Sequence, residues 1–139
     1  MLSSFQIFYK EFKESWRNSS IAGIKEVLSL DYQAREIRDQ DIVDFEYAES
    51  IEGWSQAFNQ LQEQNAQWIL KEVGVIPLRE NEVLAILWAS LIIDDRQLET
   101  ANLFFITFRW KDGKWKLIRS YIEAGLPSEK MECFELNRI

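Results

Sequence analysis

Histidine is absent from this 139-residue chain. No side chain therefore titrates near neutral pH without help from its surroundings. Acid–base chemistry would need an Asp, Glu or Tyr with a strongly shifted pKa. Imidazole metal ligands and a Ser-His-Asp arrangement are excluded outright. Cysteine occurs once, as Cys133. An internal disulfide is impossible, and the simple expectation is a reducing, cytoplasmic setting. The neighbouring Glu132 and Glu135 would raise a thiol pKa, so no reactive thiolate is expected. The few glycines form no phosphate-cradling loop. Neither a cofactor nor a metal is expected. No apolar run is long enough to span a bilayer. Met1-Leu2-Ser3-Ser4 lacks the basic start and apolar stretch of a signal peptide. No repeat, low-complexity tract or linker stands out. Positive charge is also scarce: 16 Lys and Arg face 23 Asp and Glu, for a net charge of −7. Such a surface repels phosphate backbones, so nucleic acid is not an expected partner.

What is abundant is apolar and aromatic. Hydrophobic residues make 47% of the chain and aromatics 14%, with 6 Trp. The length fits one domain, residues 1–139, with a core that needs no staples. Phe5, Phe8, Tyr9, Phe12 and Trp16 form one stripe of an amphipathic helix. Asn18-Ser19-Ser20 breaks it and offers an N-cap. Ile21, Ile24, Val27 and Leu28 are the apolar side of a second helix, giving a helical hairpin. The charged stretch from Leu30 to Glu49 predicts short strands near Tyr32–Ile37 and Val43–Ala48. Ser50 caps a third helix carrying Ile51, Trp54, Phe58 and Leu61.

From Gln67 onward the period changes. Trp68–Ile76 reads as a strand stopped by Pro77, and Val83–Ile93 as a strand buried on both faces. Asp94-Asp95-Arg96 turns the chain into Leu98–Trp110 and Lys114–Ala124, and Gly125 and Pro127 end the sheet. The last two strands meet at Lys111-Asp112-Gly113-Lys114. Asp-Gly between apolar runs is the strongest short hairpin signal. The tail Ser128–Ile139 either frays or covers a sheet edge. Helices segregated from a strand meander describe an α+β fold. The expected form is a curved antiparallel sheet making a half-open cone on three helices of the N-terminal half, a cystatin-like roll.

The run Phe105-Ile106-Thr107-Phe108-Arg109-Trp110-Lys111-Asp112-Gly113-Lys114-Trp115-Lys116-Leu117-Ile118 carries a resemblance. With the helical hairpin and Glu49-Ser50-Ile51-Glu52-Gly53-Trp54, it resembles the SnoaL-like and ketosteroid-isomerase-like group of the nuclear transport factor two-like superfamily. The resemblance covers roughly Phe5 to Gly125. It implies a cone with an apolar pocket and a homodimer packed through the convex sheet face. Its members include isomerases, cyclases, dehydratases, hydrolases and non-catalytic binding or association domains. Many carry a His on the last strand, at positions corresponding here to Arg119 and Tyr121. This chain departs from the pattern there.

Strand alternation puts Trp115, Leu117, Arg119, Tyr121 and Glu123 on one face. If that face is hollow, Arg119 could hold an acid, Tyr121 could donate to an oxyanion, and Glu123 could act as base. The plainer alternative is an Arg–Glu pair at the mouth with Tyr121 as core. Asp44 and Glu46 share strand parity, as a carboxylate pair would, and Tyr32 stands in the charged stretch before them; a solvated connection explains the same residues. Trp54, Phe58, Trp88 and Trp110 would line a pocket or simply fill the core. Ile118 and Ile122, pointing the other way, would need a cover. That cover is either a second copy or the tail Met131–Ile139.

Three readings of function follow. The first is a non-catalytic or weakly catalytic binding protein. Its ligand is a small apolar molecule with a polar or acidic group, contacted by Tyr32, Trp54, Phe58, Trp88, Trp110, Arg119 and Tyr121. The second is an isomerase- or cyclase-like enzyme using Asp44, Glu46 or Glu123 as base with Tyr121 or Tyr32 as donor. The third is a protein-association module.

Overall fold

The computed structural model describes residues 2–132, with side chains from Ser4 onward. Helix α1 (Leu2–Arg17) and helix α2 (Ile21–Val27) form the expected hairpin. The Gly23 amide donates to Ser20 Oγ, which caps α2. Gly23 also lies against α1: a Cβ there would collide with the Ser15 side chain. The two helices can approach this closely only because that atom is missing.

Leu28 leaves α2 and opens strand β1 (Leu28–Arg38), longer than the short strand the sequence predicts. Asp39, with positive φ, turns the chain into β2 (Asp41–Glu46). Helix α3 (Tyr47–Gln62) starts before Ser50. Its N-cap is Glu46, in a capping box with Glu49, while Ser50 is buried inside the helix. A carboxylate can accept from the first-turn amides as a hydroxyl does, so the helix starts four residues upstream of the expected boundary.

Strand β3 (Ala66–Arg79) runs through Pro77 rather than stopping there. β3 is an edge strand, where a missing N–H costs no ladder bond. Strands β4 (Glu82–Ile93), β5 (Arg96–Gln97), β6 (Thr100–Lys111) and β7 (Lys114–Pro127) follow, then the short helix α4 (Glu129–Glu132). Asp112 and Gly113 both have positive φ, as the tight β6–β7 turn requires.

The strand order is β2-β1-β7-β6-β4-β3, with β5 paired to β4. The α+β class and cystatin-like roll are as expected. The sheet, however, is mixed, because β1 pairs with β7 in parallel. Helices cover one face. There Phe5, Phe12, Trp16, Phe58, Phe108, Leu87 and Ile106 are fully buried. Each such side chain contributes about 1.5–3 kcal/mol on burial.

A bulge in β7 decides what faces where. Phe108 pairs with Leu117 but Thr107 pairs with Arg119, leaving Ile118 as an extra residue. Alternation therefore inverts across Ile118. Trp115 and Leu117 lie in the helix-side core, and so do Ile122 and Ala124. Arg119, Tyr121 and Glu123 face the opposite, outer side. The expectations that all five alternate residues share a face, and that Ile122 looks outward, are corrected by this one residue.

The outer face has a small cluster of its own. Met131 of α4 packs with Trp88 and Ala101, supported by Ile69, Val73, Leu103 and Leu126. The start of the tail thus covers part of the sheet. Cys133 and the rest of the tail lie outside the described residues.

Candidate functional site

The residues expected to gather in one pocket are divided between the two faces. Tyr32, Trp54, Phe58 and Trp110 belong to the helix-side core. Tyr32 is buried and shares its hydroxyl with Ser120 and Ser50; burial raises its pKa, and those two hydrogen bonds oppose the rise. Trp54 packs edge-on to Trp16 at 5.0 Å and beside Phe58 at 5.4 Å. Trp16 also meets Trp68 at 5.9 Å and Phe104 at 4.9 Å. Aromatic rings pack against one another across the helix-covered face, where the pocket was expected. Trp88 is on the other face, beneath Met131, and so is not a neighbour of this group.

Arg119 and Tyr121 do come together, on the outer face. Two cross-strand rows build the site. Glu46, Gln33, Arg119, Thr107 and Leu84 are successive partners across β2, β1, β7, β6 and β4. Asp44, Arg35, Tyr121, Phe105 and Ile86 form the next row. Between them lies an open groove of about 670 Å³. Its floor is Leu84, Phe105 and Tyr121, and its rims carry Arg35, Asp44, Glu46, Glu49 and Arg119. The Phe105 and Tyr121 rings meet at 5.9 Å.

Each charged group in the groove has a distinct state. Arg35 donates to Asp44 twice, Nε to Oδ1 at 2.7 Å and Nη2 to Oδ2 at 2.9 Å. Those hydrogen bonds hold the Asp44 carboxyl below its ordinary pKa. An acid kept ionised in this way is a weaker proton acceptor. The Tyr121 hydroxyl donates to Glu123 Oε2 at 2.6 Å, which raises the tyrosine pKa. Its proton is thus already committed to a neighbour. Glu46 and Glu49 serve the start of α3, with Glu49 Oε1 accepting from the Glu46 amide at 3.2 Å.

Beyond Arg119, next to the groove, is a group that the sequence did not disclose. Glu82, only 6% exposed, sits at the start of β4. Three guanidiniums surround it: Arg119 at 3.0 Å, Arg109 at 3.5 Å and Arg79 at 3.6 Å. A buried carboxylate needs such partners. The only sequence signal was an acid beginning an otherwise apolar strand.

Comparison with known proteins places this architecture. No family profile and no curated protein matches the chain. Solved structures do match. An NTF2-like protein of unknown function from Pseudomonas putida is 15% identical, with a TM-score of 0.68 over 98% of this chain and 95% of its own. An uncharacterised protein with a cystatin-like fold from Caulobacter vibrioides is 11% identical, at 0.67 over 96% and 94%. A protein from Thiobacillus denitrificans, provisionally named as a calcium/calmodulin-dependent protein kinase type II association domain, is 17% identical, at 0.67 over 86% and 93%. Among the described residues, no helix is long and apolar enough to cross a membrane. The fold of this chain is the NTF2-like, cystatin-like one: helices on one face of a curved, unclosed sheet.

Proposed function

We propose that this chain is an association module that pairs with a second copy of itself through the outer face of the sheet. The observation that carries this reading is the packing around Trp16. Trp16 meets Trp54, Trp68 and Phe104 at 4.9–5.9 Å in the helix-covered interior, packing that leaves less room there for a ligand. The outer face instead offers half-buried Leu84, Ile86, Leu103 and Phe105 and the 41% exposed Tyr121. Such a face is stabilised by a cover. α4 covers only the end near Trp88. The solved structure named as an association domain has the same fold, which is consistent with such a role.

Light scattering across a concentration series tests this. A dimer at micromolar concentration supports the reading, and a monomer up to tens of micromolar overturns it.

A second reading has one observation in its favour, the groove itself. A small apolar acid could lie on Phe105 and Leu84, with its carboxylate on Arg119 and an oxygen on Tyr121. Native mass spectrometry would reveal such a molecule if it co-purifies. The enzyme reading has less support. Asp44 is tied to Arg35, Glu46 caps a helix, Tyr121 is tied to Glu123, and Tyr32 lies on the opposite face.

A further inference from the structure

The groove has rims of opposite sign. At the β2 end are Glu46 and Glu49, and no described cation forms an ion pair with either. At the β4 end, three guanidiniums share the single carboxylate of Glu82. Arg119 and Arg79 keep 50% and 66% of their side-chain surface exposed, so most of their N–H donors still face water. Glu46 on β2 and Glu82 on β4 are four strands apart in the order β2-β1-β7-β6-β4, roughly 19 Å at normal strand spacing, and Arg119 reaches Glu82 from β7 between them. The floor between them is apolar.

A two-fold axis lying in the interface and running along the strands brings each rim onto the opposite rim of the other copy. We infer that Arg119 and Arg79 of one copy meet Glu46 and Glu49 of the partner subunit, and the reverse, with Phe105, Leu84 and Tyr121 closing against their own equivalents. This rests on the pairing proposed above and assigns its charge register. A small anion would satisfy only the basic rim. A second copy satisfies both, and in a chain of net charge −7 it also sets two acidic molecules in the one orientation where opposite charges face each other.

A charge-swap experiment tests the register. Arg119→Glu and Glu49→Lys are made separately, and their folding is checked by thermal melting. Each alone should raise the dimer dissociation constant about tenfold or more, since like charges then meet. Mixed together, the two should form a heterodimer near wild-type strength, because one of the two contacts regains opposite charges. Arg119→Gln and Glu49→Gln are the gentler pair, expected to weaken pairing severalfold without reversing a charge. Wild-type pairing should also weaken as salt rises. If the wild type pairs but the variants pair equally well, or the mixture recovers nothing, the charge register is wrong while pairing stands. A wild type that stays monomeric sinks the pairing itself.

Discussion

The Arg119 guanidinium crosses β6 to reach Glu82 on β4, with Nη2 3.0 Å from Oε1. The contact ties the last strand to the start of an inner one and fixes the basic rim of the groove. It exists because Ile118 is an extra residue in β7. Without that bulge, Arg119 would point into the aromatic core.

Glu82→Gln keeps the shape of the side chain and removes its charge. Three guanidiniums then repel one another around a neutral amide. The arginines are part-exposed, so water screens some of that repulsion. The expected loss is about 1–3 kcal/mol of unfolding free energy, read from urea denaturation. Arg79→Gln, which removes the most exposed partner, should change stability by less than about 1 kcal/mol. If the two variants are equally stable, Glu82 does not organise the cluster.

Phe108 tests the claim that the interior is packed rather than hollow. It is 0% exposed and its ring meets Phe5, Phe8, Tyr9 and Phe12 at 5.4–5.9 Å. Phe108→Ala should cost about 3–5 kcal/mol in urea denaturation, a transfer loss plus a cavity. A loss under about 1 kcal/mol would indicate a site able to collapse or already open.

Much of the fold was legible because the relevant signals are local. The Phe5–Trp16 stripe, the Ser20 cap and the Asp112-Gly113 turn each depend on neighbours within a few residues. What was illegible depended on distant ones. No Gly or Pro marks the Ile118 bulge, so the alternation looked continuous from Trp115 to Glu123. The parallel pairing of β1 with β7 joins segments some eighty-five residues apart, as in Ala34 with Ser120. Trp88 read as a pocket residue because its cover, Met131, arrives from the chain's far end. Arg119 and Tyr121 were rightly read as neighbours on one face, yet which face followed only from the bulge.

Two glycines separate backbone strain from space. A Cβ at Gly113 or at Gly53 would meet nothing within 4 Å. Gly113 has φ +79° in the β6–β7 turn, whereas Gly53 lies within α3. Gly113→Ala should therefore destabilise by about 1–2 kcal/mol through its left-handed backbone. Gly53→Ala should stabilise by about 0.5–1 kcal/mol through helix propensity. Thermal melting should move in opposite directions for the two variants. Shifts of the same sign would mean that something other than local backbone preference decides.

Alkaline pH should unfold the protein through its buried tyrosines. Burial first, and then the negative charge of Glu72, raise the Tyr9 pKa far above its usual 10.0. Burial also raises that of Tyr32. Each phenol therefore stays protonated in the folded chain at pH values where the unfolded chain has released the proton. The folded state binds more protons, so stability is full below about pH 10 and falls as pH rises above it. Tyr9→Phe removes one titrating group and should flatten the decline. The check is the urea midpoint of both proteins between pH 8 and 11.5. If the two curves fall in parallel above pH 10, Tyr9 is not held neutral by the core, and the tight packing of α1 on the sheet is in doubt with it.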